Sequence, residues 1–228
     1  MNVAIIAAAG LGTRMSGERP KQFLELAGIP IIFHTLKAFQ QCEIVDEVVA
    51  VLADADIQHF LAQAEEYDLR KVVAAVPGGR TRAESVLNGL RSISEDRADI
   101  VAVHDGVRPF VTPDEIARTI DAARASGAAV LVSTPVDTMK EVENGFIKRT
   151  LDRSTLRNAL TPQCFQYRLL RRAYDQIDVM DPRLTDEASL VERTGAPVAA
   201  VEGSARNFKI TNPEDLLIAE QLFKMAQV

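Results

Sequence analysis

Short apolar runs along this chain alternate with stretches whose apolar residues recur at helical spacing. Val3-Ala-Ile-Ile-Ala-Ala-Ala9 opens it as a buried strand that stops at Gly10 and Gly12. Ile31-Ile-Phe33 with Leu36 and Phe39 puts apolar groups on one helical face, and Glu47 to Ala53 reads as a second strand, completing a β-α-β unit. Ile57, Leu61 and Ala64 mark the next helix, and Lys71 to Val76 is a third strand broken by Pro77-Gly78-Gly79. Val86, Leu87, Leu90 and Ile93 line one side of a helix over 81–94. Asp99 to His104 is the fourth strand, ending in Asp105-Gly-Val-Arg108-Pro. Thr112-Pro-Asp-Glu115 carries a capping-box signal with proline at the first helical position, and Ala128 to Thr134 follows as a fifth strand.

The pattern changes at Asp137. Between Lys140 and Thr150 the dipeptide Asn144-Gly145 separates two strand-like arms, the strongest short-range hairpin signal in the chain. An isolated two-stranded hairpin is marginal in water, so this arm, at about 137–151, needs a surface to pack on. A second subunit is one candidate, its own domain another. Beyond it, no element is assigned to 151–163. A helix is predicted near Tyr167 to Gln176, another opening at Leu184-Thr185-Asp186-Glu187, and a sixth strand over Pro197 to Val201. Asn212-Pro213 caps a last helix with Leu216, Ala219 and Phe223 facing inward.

Strands alternating with amphipathic helices over short joints predict an α/β fold. The expectation is a Rossmann-like, mainly parallel sheet with helices on both faces and a protruding β-hairpin arm, one domain over 1–228. Ligands of such sheets lie outside the carboxyl ends of the strands. The Gly10 loop, the Gly78-Gly79 loop, Asp105 to Arg108 and Asp137 to Lys140 are therefore expected on one rim.

Composition narrows the partners. The chain has 228 residues, 47% of them apolar, and a net charge of -6 with both signs spread throughout, which argues against a broad nucleic-acid or acidic-membrane surface. No run approaches the roughly 18 apolar residues of a transmembrane helix, and no basic segment precedes the first apolar run as in a signal peptide. Cys42 and Cys164 lie far apart and outside any zinc-like spacing, so reduced thiols in a cytoplasmic protein are expected.

The chemistry follows from what the first loop lacks. Gly10-Leu-Gly12-Thr-Arg14-Met is no P-loop, for the G-x-x-x-x-G-K pattern is absent. Nor is it a dinucleotide fingerprint, since Met15 stands where a small residue is needed and the second strand ends much too late. What remains is a glycine loop with its own arginine, and Lys21 a few residues on, suited to a triphosphate. His34 and His59 fall in helices as packed or solvated side chains, and His104 reads as structural. No nucleophilic triad, paired-glutamate or HExxH pattern occurs. Cations, glycines and one rim carboxylate suit phosphoryl or nucleotidyl transfer, where positioning and charge stabilisation dominate. A phosphate monoester attacker is largely dianionic at neutral pH, with a second pKa of about 6, and needs no general base. Asp105 is the candidate ligand for Mg²⁺ bridging the phosphates.

The ordered set of Ala7-Ala-Ala-Gly-Leu-Gly-Thr-Arg14, Pro20-Lys21-Gln, Gly78-Gly79-x-x-Arg82-x-x-Ser85, His104-Asp105-x-x-Arg108-Pro, Asp137-Thr138-Met-Lys, Asp152-Arg153, Thr161-Pro-Gln, Thr185-Asp-Glu-Ala and Lys209-Ile-Thr resembles the 2-C-methyl-D-erythritol 4-phosphate cytidylyltransferases of the non-mevalonate isoprenoid pathway. The resemblance implies transfer of CMP from CTP to the 4-phosphate of methylerythritol phosphate, with Mg²⁺ and release of pyrophosphate. It implies that Arg14 and Lys21 act at the α-phosphate, that Ala8, Ala9, Gly10, Gly12, Gly79, Ser85 and Arg108 belong to the CTP side, and that Asp105 holds the metal. Thr138, Arg153, Thr161, Thr185 and Lys209 would surround the acceptor, Arg153 and Lys209 counting with the catalytic cations. It further implies a homodimer made through the arm, with arm residues near the partner's site. Arg80 stands where some relatives are acidic, and Ala7 where proline is frequent, so no side-chain role carries over to Arg80. Ribitol 5-phosphate cytidylyltransferase, which shares the CTP half, and a catalytically inactive nucleotide-binding regulator are the alternatives.

Overall fold

A strand covered on both sides must be apolar at every position, and the first strand shows why its run is unbroken. Val3 and Ile5 point into one core, Ala4 and Ile6 into the other. The computed structural model describes residues 1–10, 20–181 and 183–226. Gly12 and Arg14, both expected at the site, lie outside the described residues.

In chain order, β1 (Asn2–Ala7) is followed by a small antiparallel pair, β2 (Glu25–Leu26) and β3 (Ile29–Pro30), and by α1 (Ile31–Gln41). Then come β4 (Glu47–Leu52), α2 (Ile57–Glu66), β5 (Val72–Pro77), α3 (Arg82–Arg91), β6 (Ile100–Asp105), α4 (Pro113–Ser126) and β7 (Ala128–Ser133). The arm is β8 (Lys140–Glu143) and β9 (Phe146–Thr150). The remainder is β10 (Asn158–Gln166), α5 (Tyr167–Asp175), α6 (Glu187–Glu192), β11 (Ala199–Glu202) and α7 (Pro213–Ala226).

Among the described residues the main sheet has the order β11-β7-β10-β6-β1-β4-β5, and every neighbouring pair is parallel except those of β10. Helices α1, α2 and α4 cover one face, α3, α5 and α6 the other. The capping box at Thr112 and Glu115 forms as the sequence predicts. On α2 the inward residues are Phe60 and Ala64, whereas Leu61, expected to face the core, is exposed. Ala219 of α7 is buried, with Leu216 and Phe223 half-buried against the same small cluster.

The strand that periodicity did not predict is β10, which runs antiparallel between β6 and β7. Its Thr161-Pro162-Gln163 centre lacks alternation, and proline argues against a central strand. The structure accommodates Pro162, after a cis peptide bond, where the pairing with β7 shifts between Ala159 and Gln163. The insertion places β7 two strands from β6, roughly 10 Å away at usual strand spacing. Asp137 to Lys140 follow β7 at this remove from β6 and lead into the arm.

The arm turns on Asn144 and Gly145, with φ of 51° and 83°, as a two-residue type I′ hairpin requires. Every residue of β9 is exposed, Phe146 to 79%, and Val136 and Val142 are exposed beside it. The arm therefore does not fold back on its own domain.

Candidate active site

The chain runs outward from β1 through β4 to β5, then returns to pair β6 on the other side of β1. Such a switch of direction opens a crevice at the strand ends. A cavity of about 440 Å³ lies there, lined by Ala7 to Gly10, Lys21, Gln22, Gly79 to Arg82, Ser85, Asp105, Val107 and Lys209.

Its floor is the contact between two loops. The Gly78 amide donates to Leu52 O at 2.7 Å, and a Cβ on Gly78 would sit 2.2 Å from that of Ala9, so only glycine lets the loop after β5 close on the loop after β1. The Gly79 amide donates to Ser85 Oγ (3.0 Å), which donates to Thr81 O (2.8 Å). Thr81 caps α3 by accepting from the Glu84 amide, and Ala8 N donates to Val51 O at 2.8 Å. The amides of Ala8 and Gly79 and the Ser85 hydroxyl are thus engaged in shaping the cradle.

Asp105 closes β6 and is buried among cations. Its Oδ1 accepts from Arg82 Nε at 3.1 Å, and its Oδ2 from Lys209 Nζ at 3.0 Å and Arg108 Nε at 3.3 Å. Burial opposes ionisation, but Arg82, Lys209 and Arg108 together hold the carboxyl well below the usual range. Arg108 also donates to Asn207 O at 2.8 Å, which ties Asp105 to the chain ahead of α7. Arg82 reaches a second buried carboxylate, Glu187, with Nη1 at 2.8 and 2.7 Å from its two oxygens. Lys209 keeps about a third of its side chain exposed and is the pair's most accessible member.

Behind Asp105 runs a chain of hydrogen bonds. The Asp105 amide donates to Thr161 Oγ1 (3.2 Å), so the hydroxyl proton is left for His104 Nδ1 (2.9 Å), and His104 Nε2–H donates to Arg108 O (3.2 Å). Burial pushes the His104 pKa down to about 3, only partly opposed by Asp105, and the ring is neutral. This is the structural role expected of it. Thr161, expected beside the acceptor, is buried with its hydroxyl in this chain, and supports Asp105 from behind.

The structure brings Ala8, Ala9, Gly10, Lys21, Gly79, Ser85, Asp105 and Lys209 to one cavity, with Arg108 against Asp105. It does not bring Thr138, Arg153 or Thr185 to it: all three are exposed, and Arg153 Nη1 donates to Val136 O at 2.5 Å. Two participants went unassigned in the sequence. Arg82 stands in a motif quoted for its glycines and serine, but its partners are 23 and 105 residues away. Gln22 is buried against the cavity beside Lys21, and only the fold gives it that place.

His104 makes the fold pH-sensitive. Its pKa in the folded chain lies below the unfolded value of 6.5, so the unfolded state takes up the proton first as pH falls. Stability is complete above that value and declines as pH falls toward about 3, with Asp105 adding its loss from the ordinary carboxylate range downward. In urea unfolding without metal, the wild type is expected to lose stability steadily below pH 6.5, and His104→Asn to give a flatter profile. Parallel profiles would exclude His104 as the source.

With the geometry described, known proteins give the context. The family model for 2-C-methyl-D-erythritol 4-phosphate cytidylyltransferase (IspD) matches residues 2–225. The protein of that name from Syntrophus aciditrophicus is 45% identical over 224 residues, covering 97% of this chain and 95% of its own. That of Pelotomaculum thermopropionicum is 44% identical over 226 residues, covering 98% and 94%. Among solved structures, 4-diphosphocytidyl-2C-methyl-D-erythritol synthase from Anaerococcus prevotii superposes with a TM-score of 0.86 at 29% identity, over 98% of this chain and 96% of that one. The Thermus thermophilus 2-C-methyl-D-erythritol 4-phosphate cytidylyltransferase does so with 0.78 at 36% identity, over 97% and 98%. These matches span the sheet, the cradle and the arm alike, and the chain belongs to the 2-C-methyl-D-erythritol 4-phosphate cytidylyltransferase family.

Proposed function

We propose that this protein transfers CMP from CTP to 2-C-methyl-D-erythritol 4-phosphate, releasing pyrophosphate, in non-mevalonate isoprenoid biosynthesis. The observation that carries this reading is the ionised Asp105 among Arg82, Arg108 and Lys209, facing a glycine cradle that also holds Lys21. The acceptor phosphate, already dianionic, attacks the α-phosphorus, a new P–O bond forms, and the bond to the β-phosphate oxygen breaks. Lys21 and Lys209, with Arg14 of the first loop, balance the charge that builds on the α-phosphate and on departing pyrophosphate. No proton needs to be removed, in keeping with a cavity lining that contains no histidine among the described residues.

Mg²⁺ fits this donor set. Among the described residues there is no cluster of three or more ligating side chains, but magnesium in nucleotide sites is held by one or two carboxylates plus phosphate oxygens and water. Asp105 Oδ1 accepts from Arg82 Nε, and a carboxylate oxygen has a second lone-pair direction that a cation can take. When bound, the ion supplies charge neutralisation between the phosphates, and Asp105 is the protein group that holds it. A cytoplasmic setting suits Cys42 and Cys164, both free thiols, and no helix among the described residues is long and apolar enough to cross a membrane.

The arm is read as the contact of a homodimer. Exposed Val136, Met139, Val142, Phe146 and Ile147 form an apolar surface that a lone chain leaves wet. Thr138 and Arg153, at the base of the arm and outside their own chain's cavity, are then placed to serve the acceptor side of the partner's site. Thr185 lies one residue ahead of the Asp186 cap of α6, exposed and outside the cavity lining.

Supplied with CTP and methylerythritol phosphate, the protein is expected to release pyrophosphate, and with ribitol 5-phosphate in its place to release little. The opposite preference identifies the sister activity, and no release with either acceptor a binding protein. Lys21→Ala is expected to lower turnover by roughly 10²-fold or more while leaving the fold intact. Replacing residues 141–148 by a short Gly-Ser turn should convert a dimer to monomer in sedimentation, and a persistent dimer would remove the arm as the principal contact.

A further inference from the structure

Arg82 is a cation of the cavity to which the cytidylyl-transfer reading gives no contact with substrate. It begins α3, lines the cavity, and lies between two carboxylates that reach it from separate parts of the chain. Nε donates to Asp105 Oδ1 at 3.1 Å, and Nη1 to Glu187 at 2.8 and 2.7 Å. Glu187, 2% exposed, also accepts from the Tyr174 hydroxyl at 3.2 Å. A buried carboxylate is costly unless paired, so Glu187 fixes the guanidinium as firmly as the guanidinium satisfies Glu187.

A guanidinium presents five donors in one plane, and two edges of this one are committed. Among the described residues nothing bonds Nη2. The side chain nevertheless keeps 29% of its surface exposed, in the wall of a cavity where the cations Lys21, Arg80, Arg82 and Lys209 outnumber Asp105. Burial disfavours the charge on Arg82, but Glu187 first and Asp105 next more than offset it and raise its pKa. A purely structural ion pair has no reason to leave a charged edge open to a ligand cavity.

We propose that Arg82 is a phosphate-binding residue of this site, pinned by Glu187 so that its Nη2 edge meets a phosphate oxygen of a bound substrate. Arginine suits this because its planar fork binds phosphate with a fixed direction. Glu187 touches no substrate and acts as a positioning residue. The inference deepens the cytidylyl-transfer reading and takes its two phosphate-bearing substrates from it, the triphosphate of CTP and the monoester of the acceptor.

The test uses the full chain as wild type, Arg82→Lys and Glu187→Gln. Calorimetry with CTP, and separately with inorganic pyrophosphate, gives Kd, and steady-state kinetics give KM for each substrate and kcat. Arg82→Lys keeps the charge and loses the fork. It is expected to weaken one substrate about tenfold or more, the usual size of a charge-assisted hydrogen bond, while circular dichroism shows the chain folded. Weaker CTP and pyrophosphate binding assigns the triphosphate, whereas a raised acceptor KM at unchanged CTP affinity assigns the monoester. Glu187→Gln, which only loosens the guanidinium, should weaken the same substrate by less. Unchanged constants in a folded Arg82→Lys overturn the proposal, as does an equal loss for both substrates. A wild type that makes no product refutes the parent reaction instead, and an unchanged CTP affinity in Arg82→Lys then overturns this proposal too.

Discussion

A carboxylate kept ionised inside the protein is the constraint on which the site depends. Asp105 is taken out of water at the end of β6, and that placement stands only because Arg82, Arg108 and Lys209 surround it. Each cation comes from a different part of the fold: the start of α3, the turn after β6, and the approach to α7. The charge on one side chain thus requires three segments to arrive together, and Asn207 O and Glu187 lock two of the arriving arginines in turn. The same excess of cations that stabilises Asp105 makes the cavity receptive to a triphosphate. Binding and folding draw on one set of charges.

Legibility in the sequence followed the range of the interactions. The βα alternation, the capping box at Thr112 and the Asn144-Gly145 turn are local, written in spacing and turn chemistry, and the structure repeats them within about three residues. The cradle was legible for the same reason, since glycines after a strand state their purpose in place. The order of strands was not. Nothing near Pro162 announces a strand that inserts between β6 and β7, because its pairing partners lie far away along the chain and the broken ladder hides its period.

The site divides along the same line. Lys21, Gly79, Ser85, Asp105 and Lys209 were readable as a set once motifs were compared, and they converge. Thr161 was read as an acceptor contact, yet its hydroxyl is spent between the Asp105 amide and His104. A residue type cannot show which way its hydrogen bonds run. Arg82 was visible and unassigned, because its meaning is the pair of carboxylates it joins, and neither adjoins it in sequence.

The alternation of β1 has one more consequence. Ile5 meets the helices of one layer and Ile6 those of the other, so a change at either position is felt on one side of the sheet alone. Each layer can be repacked over generations without renegotiating the other, provided the backbone between them holds its place. A lineage can therefore rewrite much of its interior while the rim at the end of β1, where Ala8 packs into one layer and Ala7 and Ala9 against the other, keeps its geometry through the close approach of Ala9 and Gly78. Divergence and invariance are assigned to different directions around a single strand.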